Sequence, residues 1–581
     1  MQKRWLVKDL PEHTVVKQFQ EELKIPEIIS TLLLQRGITS FDEAKSFFRP
    51  YLRDLHDPFL MKGMSEAVER LILALNNKEK ILVFGDYDVD GTTAVAQLVI
   101  FFKKHGFNVD FYIPDRYDEG YGISIKGIDY ALENNCSVFI ALDCGIKAVE
   151  KIDYAREKGL DVIICDHHTP GEVLPNAIIL DQKQADCAYP YKELTGCGIG
   201  FKLIQGLLEK LALPQEELYH FLDLNAISIA ADIVPVTGEN RIIAFHGLKQ
   251  LNEQPLREGL AALLKHAGKE IPLSFTNIVF VIAPRINAAG RIQSGKHAVE
   301  LLISENKKLT HQLAFQIEED NSIRKELDRS ITEEILEQLA ADKEYASMSS
   351  TVVYGEDWHK GVIGIVASRL IETYYRPTVV LTKSNGVAAG SVRSVSGFNV
   401  YEALENCSEH LIQFGGHKYA AGLTIQTEQI EAFRKKFDQI VATHLSDEMK
   451  IAEQVIDLSL SLNQIFSPGE SYYSIPKVKR ILDQFEPYGP GNMKPVFMTT
   501  DVFMDPAYTR IVGDNHLKTR LRSPQLPFAL DAIGFNLGHK LNEIAEGEAV
   551  TILFTLEENT WNNKTTLQLN IKDIRPDNTP D

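Results

Sequence analysis

Between about residues 79 and 234, short apolar segments alternate with amphipathic ones, and this run limits the fold more than anything else in the chain. KILVFG (80–85), NVDFYIP (108–114), SVFIALD (137–143), DVIICD (161–166) and AIILD (177–181) have the length and composition of buried strands. Between and after them, GTTAVAQLVIFFKKHG (91–106), VEKIDYAREKG (149–159), GCGIGFKLIQGLLEKL (196–211) and FLDLNAISIAADIV (221–234) carry helical spacing. Strands that are apolar throughout need cover on both faces. Alternation with helices therefore predicts an α/β, doubly wound, mostly parallel sheet.

The rest of the chain divides by pattern. Residues 1–60 read as short helices (PEIISTLLLQRG, SFDEAKSFF) ahead of Pro58. From about Ser304 to Glu344 there is no Gly or Pro. Leu313, Ile317, Ile323, Leu327, Ile331, Ile335 and Leu339 recur there mostly four apart, predicting one helix of about 60 Å with a narrow apolar stripe, better suited to a strut than to a compact core. STVVYG (350–355) and RPTVVLT (376–382) open a second α/β unit ending near 445. Beyond about 453 the pattern is short-period, with Gly, Pro and Asn turns, which suggests a small barrel of the oligonucleotide-binding (OB) type. The expected division is an N-terminal helical segment (1–60), a catalytic α/β lobe (61–250), a helical linker with the long helix (251–345), a smaller α/β lobe (346–450) and an OB-type barrel (451–581).

Composition narrows the class. The six cysteines at 136, 144, 165, 187, 197 and 407 form no C-x-x-C pair, so reduced core thiols are expected rather than a zinc site or disulfide framework. No stretch approaches the ~18 apolar residues of a membrane span, and the first residues lack a signal-peptide run, so a cytoplasmic protein is expected. The formal net charge of −19 argues at first against a nucleic-acid partner. A carboxylate cluster that holds divalent cations would turn part of that charge into a positive site, and a basic groove can be local.

The acids are clustered. ILVFGDYDVDGTTA (81–94) places Asp86, Asp88 and Asp90 in the turn after a strand, with Gly91 opening the next helix. Asp143 (IALDCG) and Asp166, His167 and His168 (IICDHH) follow two further strands. In an open α/β sheet the crevice lies at the carboxyl ends of the strands, so these groups converge on one rim. Carboxylates that close repel unless cations neutralise them, and oxygen ligands with imidazole suit manganese or magnesium better than zinc. Rival readings exist. An EF-hand loop would need Glu at its twelfth position, where Gln97 stands, and a helix before it. A haloacid-dehalogenase-type phosphatase loop, with Asp88 as nucleophile, leaves the two histidines without a role. A solvated acidic turn beside a core histidine pair explains one motif but not three.

DYDVDGTTA, ALDCG, CDHH and ADIVPV (231–236) stand in the order and spacing of the DHH phosphoesterase superfamily. Within it, the chain resembles the RecJ family of single-stranded-DNA exonucleases. The resemblance continues through APRINAAGRI (283–292), WHKGVIGIVASRL (358–370), AGSVRSVSGFNV (389–400), GGHKYAAG (415–422) and EPYGPGNMKPVF (486–497). One departure is Lys418-Tyr419, to which no role is carried over. The resemblance implies two divalent cations, Mn2+ or Mg2+. Asp86 and Asp88 would complete one site and Asp90, His167 and Asp232 the other, with Asp143 bridging and His168 touching the scissile phosphate. Catalytic roles are thus expected for His168, Asp143 and Asp88. Cys144 and Cys165 are expected to pack. Asp166 would either orient an imidazole or shape the turn.

The second lobe and the linker motif would hold the nucleic acid through Arg285, Arg291, Arg369, Ser391, Arg393, Gly415, Gly416 and His417. Of these, Arg285, Ser391 and Arg393 are expected to converge with Arg116 on a terminal phosphate. His516, Lys518, Arg520 and Arg522 alternate along one strand and would share a barrel face. The implied activity is 5′-to-3′ digestion of single-stranded DNA to 5′-mononucleotides, in repair and recombination, fed by a helicase or a single-strand-binding protein. A phosphodiesterase of short RNA or cyclic dinucleotides, or a non-catalytic single-strand binder, are the alternatives. Neither accounts for a complete set of acidic ligands together with a strut and a barrel.

Overall fold

The structure is a computed structural model that describes residues 3–562 and 564–577, apart from the side chains of 343 and 344. The outermost ends of the first and last expected segments lie outside the described residues. The chain forms two compact units: one contains His56–Asp232 and His246–Ala452, the other Arg4–Leu55, Ile233–Phe245 and Glu453–Asp581.

The first unit begins with five parallel strands, β1 Lys80–Gly85, β2 Asn108–Tyr112, β3 Cys136–Leu142, β4 Asp161–Cys165 and β5 Ile178–Leu180, in the order β2-β1-β3-β4-β5. Their alternate residues feed two cores. Leu82, Phe84, Phe139, Ala141, Val162 and Ile164 pack with Ile128 and Ala131 of helix α2 (Ile125–Glu133) and Ile152 and Ala155 of α3 (Val149–Glu157). The other face receives α1 (Val89–Lys104) and α4 (Gly196–Lys210). Helix α1 is apolar nearly all round and correspondingly buried. Its one central amide, Gln97, donates to Cys197 O at 2.6 Å and accepts from Asn225 Nδ2 at 2.8 Å, tying α1 to α4 and to α5 (Leu222–Asp232). The strand order reverses between β1 and β3, and the crevice of such a sheet opens at that reversal.

A helical linker follows, including α6 (Ala283–Ile292) and α7 (Lys307–Ala341). Helix α7 has 35 residues and spans roughly 52 Å. Its apolar stripe is not continuous, contrary to expectation. Leu313, Ala314 and Ile317 are buried near one end and Ile331, Ile335 and Leu339 near the other, whereas Ile323 is 48% exposed. Between them Asp320, Asn321 and Asp328 are buried instead. The two ends pack on different partners, the linker helices and α8 (Ile363–Thr373), so one straight stripe cannot serve both. The second sheet has the order β9-β10-β8-β7-β6, with β6 Thr351–Gly355, β7 Thr378–Ser384, β8 Val387–Arg393, β9 Leu411–His417 and β10 Ala420–Ile425. Only the β6–β7 pairing is parallel.

The second unit holds the barrel. Strands β11 Phe497–Met504, β14 Ala549–Trp561, β15 Lys564–Pro576, β13 Leu530–Gly534 and β12 His516–Arg522 are hydrogen-bonded in that order, and pairing of Phe503 with Arg522 and Met504 with Leu521 returns β12 to β11. Five strands are thus closed into a ring, as expected for an OB-type sheet. The expected division places 1–60 apart from the barrel, but its core is shared. Phe19, Ile29, Leu32, Leu33 and Phe47 of the N-terminal helices pack with Leu482, Phe485, Val502 and Phe554. Arg241, from the 233–245 piece, lies over the Phe47 ring at 3.9 Å and donates to the carbonyls of Phe47 and Phe485. Hydrophobic burial takes no account of distance along the chain, so three separated stretches make one unit.

Candidate metal centre and nucleic-acid cleft

The first acidic motif folds as a strand-to-helix turn. Helix α1 starts at Val89 rather than at the expected Gly91, because the Asp88 carboxylate caps it by accepting from Gly91 N at 3.0 Å. Asp90 therefore sits in the first turn of the helix. A Cβ on Gly91 would lie 2.4 Å from Asp86 O, so the glycine makes room for the turn's own backbone rather than for a phosphate. Asp86 is fully buried and accepts from Tyr87 N at 2.7 Å. Asp143, just past β3, holds φ 60, a conformation that a side chain with Cβ adopts only when its surroundings impose it. Gly196 opens α4 directly beneath, where a Cβ would fall 2.6 Å from that of Asp143. The first amides of α4 also hold Asp90. Gly196 N donates at 2.6 Å and Cys197 N at 2.8 Å, and Ser228 Oγ adds a third bond at 2.6 Å.

Four of the expected ligands, Asp90, Asp143, His167 and Asp232, come together with His168. His167 Nε2 lies 3.2 Å from Asp143 Oδ1, 3.6 Å from Asp232 Oδ2 and 3.7 Å from Asp90 Oδ2. Ligand atoms of Asp90, His167 and Asp232 fall within 4.8 Å of one another, as do those of Asp143, His167 and His168. Asp86 Oδ2, both carboxylate oxygens of Asp143 and both ring nitrogens of His167 are buried without a hydrogen-bond partner. Leaving so many polar atoms unmatched is costly, and a pair of cations would match them, so the residues fit the implied metals. Asp166 settles between its two expected roles by performing both. It accepts from His168 Nδ1 at 2.7 Å, and from the backbone amides of His167 at 2.8 Å and Ile146 at 2.9 Å. Cys144 and Cys165 are buried, with thiols pushed up by burial, as packing residues should be.

Electrostatics point the same way. Burial, then the charge of neighbouring acids, holds the carboxyls of Asp86 and Asp143 well above the usual range and raises Asp88. Asp232 is pushed up to about 8 by burial and by Asp90. Burial lowers His167 to about 4, leaving a neutral imidazole free to ligate. Burial also opposes ionisation of Asp166, yet its bond to His168 takes it down to about 2. A carboxyl raised on folding favours the folded state below its unfolded pKa, near 4, and that contribution is lost as pH climbs through the folded value. Metal-free protein should therefore melt lower at pH 8 than at pH 6, and saturating manganese should raise the melting temperature more at pH 8 than at pH 6. Thermal melts with chelator and with manganese check this. An equal metal-induced shift at both pH values would contradict the assignment.

A cleft of about 1150 Å³ adjoins the acids and is lined by both α/β lobes. Arg116, Arg291, Ser391, Arg393, Gly415, Gly416 and His417 all line it. Arg116 lies over the Tyr87 ring at 4.7 Å. Burial lowers Arg291 to about 9, with Arg116, Arg324 and Arg393 adding repulsion, and burial and Arg116 likewise lower Arg393. Arg393 Nη1 donates to Ser391 Oγ at 3.1 Å. A Cβ on Gly364 would come within 3.0 Å of Arg393 Nη2, so the glycine lets α8 close over the cations. Two expected residues are elsewhere. Arg285 is claimed by both oxygens of Glu318 and by Val281 O, and does not line the cleft. Arg291, six residues further along α6, does line it. Arg369 donates through Nε to both oxygens of Asp328 at 2.8 and 2.9 Å, away from the cleft.

Comparison with known proteins gives the family. The model of the DHH family N-terminal domain matches residues 80–229, that of the DHHA1 domain 347–443 and that of the RecJ OB domain 471–573. The single-stranded-DNA-specific exonuclease RecJ of Bacillus subtilis is 38% identical over 576 residues, covering 98% of this chain and 70% of that protein. Its counterpart in Escherichia coli is 30% identical over 574 residues, covering 95% and 96%. The chain belongs to the RecJ family. The crystal structure of RecJ from Thermus thermophilus in complex with Mn2+ superposes with a TM-score of 0.84 at 28% identity, over 100% of this chain and 80% of that one. A further structure, described as exonuclease RecJ bound to manganese, covers 67% of this chain and 96% of its own with a TM-score of 0.59 at 33% identity.

In the RecJ OB domain, His516, Lys518, Arg520 and Arg522 do share one face of β12, while Leu517, Thr519 and Leu521 point inward. The face is less cationic than expected. Arg520 pairs with Asp531 at 2.8 Å and Arg522 with Asp505, and the His516 ring meets Phe535 edge-on at 5.3 Å. Several functional candidates were not singled out from the sequence. Gly196 hides in a glycine-rich helix start, and Tyr87, Tyr121, Lys147 and Lys360 line the cleft from loops or helix ends. For Gly196 the signal was the GCGIG run at a helix N-terminus. Lys418 and Tyr419 form the turn between β9 and β10, with the ammonium 5.4 Å from the ring centre, and do not line the cleft.

Proposed function

We propose that this RecJ-family chain hydrolyses single-stranded DNA from its 5′ end, releasing 5′-mononucleotides with two Mn2+ or Mg2+ ions. The observation that carries this is the juxtaposition of buried acid oxygens and a buried imidazole without partners and a cleft of crowded guanidinium groups. Asp86, Asp88 and Asp143 would hold one cation, and Asp90, Asp143, His167 and Asp232 the other. When bound, the cations would polarise the phosphodiester and lower the pKa of the attacking water.

The chain's own groups do the rest. The bond to Asp166 keeps His168 Nδ1 occupied and, against the effect of burial, raises its pKa, so Nε2 is available to donate to a phosphate oxygen. Tyr121 OH stands 3.3 Å from that Nε2 and can steady the ring. Arg116, Arg291, Ser391 and Arg393 would receive the terminal phosphate, whose extra charge distinguishes an end from internal chain. The barrel would track the strand behind the cut, more through aromatic stacking than expected, since two of the three Lys and Arg side chains on that face are paired. Digestion of displaced strands fits repair and recombination, with a helicase or a single-strand-binding protein supplying the strand. Six free, buried cysteines fit the reducing cytoplasm, and among the described residues no helix is long and apolar enough to cross a membrane.

The test is Arg393→Ala on matched substrates. Its loss should slow cleavage of 5′-phosphorylated strands about ten- to a hundredfold and shrink the preference over 5′-hydroxyl ends. Metal affinity should hardly change. An unchanged ratio would remove Arg393 from the pocket, and early release of a 3′-terminal label by the wild type would overturn the polarity.

A further inference from the structure

Three of the cleft's cations sit on three separate stretches of chain. Arg116 lies in the loop 113–124 between β2 and α2, Arg291 near the end of α6, and Lys360 just before α8. They repel one another: Arg116 disfavours the charge on Arg291, on Arg393 and on Lys360. Without a bound anion, that repulsion would spread the three stretches apart.

They are nevertheless pinned together, through Tyr117 beside Arg116, Arg291 itself and Gly361 beside Lys360. Tyr117 OH donates to the backbone carbonyl of Arg291. Arg291 Nη1 in turn donates to Gly361 O at 3.0 Å. The Tyr117 ring meets His359 edge-on, with centres 5.7 Å apart and planes at 80°. His359 Nδ1 accepts from Gly361 N at 3.2 Å, so the turn that carries His359 is itself tied down. A Cβ on Gly361 would stand 2.4 Å from Tyr117 Oη and 2.5 Å from Arg291 O, so only glycine lets the three stretches meet. The loop is braced from its own side as well. Asp115 accepts from Tyr117 N at 2.8 Å, and Glu119 accepts from Asp115 N at 2.7 Å.

We propose that Tyr117 is a positioning residue: with Gly361 it clasps the Arg116 loop, the end of α6 and the Lys360 turn together, holding the anion pocket assembled before a strand arrives. This rests on the reading of that pocket as the receptor for a 5′-terminal phosphate. Its logic is pre-organisation, since cations already gathered spend no binding energy on being brought together. The hydroxyl matters through the neighbours it fixes, so its loss should act on substrate capture and not on the hydrolytic step.

The experiment compares Tyr117→Phe with wild type, using Tyr154→Phe as a control, because Tyr154 OH bonds to Asp129 at 2.8 Å outside the cleft. Removing one hydrogen bond from a clasp should raise KM for a 5′-phosphorylated single strand about five- to tenfold. The turnover number kcat should stay within about twofold, because an interaction equal in ground and transition states moves KM alone. In the DNA-free protein, amide hydrogen exchange should quicken in both 113–123 and 358–362. Tyr154→Phe should do neither. A fall in kcat at unchanged KM, or unchanged exchange in the two stretches, would overturn the clasp. Should wild type show no preference for 5′-phosphate ends, the pocket reading fails, and exchange alone still decides the clasp: paired quickening supports it and its absence refutes it.

Discussion

Asp143→Asn should abolish hydrolysis while leaving a protein that folds. The expected loss exceeds the about 10–100-fold that follows from removing an outer partner of a metal ligand. Both oxygens of Asp143 are buried and unmatched, and it lies within reach of the imidazole that also faces Asp90 and Asp232. Taking its charge away should weaken both cation sites at once. Asparagine keeps the shape against which Gly196 packs, and it tolerates the left-handed backbone at φ 60 better than most residues. In the metal-free state the variant should melt at or above wild type at pH 8, since a buried carboxylate facing Asp90 and Asp88 has been removed. Asp90→Asn should behave differently, because that carboxylate accepts three hydrogen bonds from residues 196, 197 and 228 and its change costs stability as well as activity. Calorimetric metal titration, thermal melts and single-strand digestion separate the two variants. Full activity of Asp143→Asn at saturating manganese would sink the two-cation assignment.

Deleting residues 453–581 should damage the protein more than the loss of an independent C-terminal module would. Phe19, Ile29, Leu32, Leu33 and Phe47 bury themselves against the barrel's supporting residues, and Arg241 gives up its bond to Phe485 O when that stretch is gone. Each buried aliphatic or aromatic side chain returned to water costs roughly 1.5–3 kcal/mol, so the orphaned N-terminal helices cannot remain folded. The fragment 1–452 is expected to aggregate, whereas 56–452, relieved of those helices, should be markedly more soluble. The shorter fragment retains every candidate metal ligand and should cleave short oligonucleotides while binding long strands more weakly and with a shallower salt dependence. Sedimentation of the two fragments tests the shared core. Equal solubility would show that the N-terminal helices fold without the barrel, and undiminished binding of long strands by 56–452 would take strand tracking away from it.

Legibility followed the range of the interactions involved. The acids at 86, 88, 90, 143 and the histidines at 167 and 168 were readable because each stands at the end of an apolar strand, and a parallel sheet brings strand ends to one edge whatever the loops do. The sheet order that places β1 beside β3, and so the acids of both at the reversal point, is not written in any one segment. The arginines were harder. Arg285 and Arg291 both lie on α6 in one motif, and only their neighbours distinguish them: Glu318 stands opposite the first, while the second meets the cleft. A long, flexible cation can pair with any acid within reach, so its partner depends on packing and not on its own sequence context. The same holds for Arg369 and Arg520, each committed to an aspartate on another element.

Periodicity alone specified the parallel catalytic sheet, the long helix, the second α/β lobe and a strand-rich end, because hydrophobic spacing reports directly which face of an element is buried. Tertiary structure decided three things that local spacing does not carry. It merged the N-terminal helices, the 233–245 piece and the barrel into one unit, because apolar surface is buried wherever a partner surface is found. It broke the apolar stripe of α7, because the two ends of that helix answer to different neighbours. It also gathered Arg116, Arg291 and Lys360 against the repulsion of Arg116, through contacts to backbone carbonyls that only a folded cleft can make.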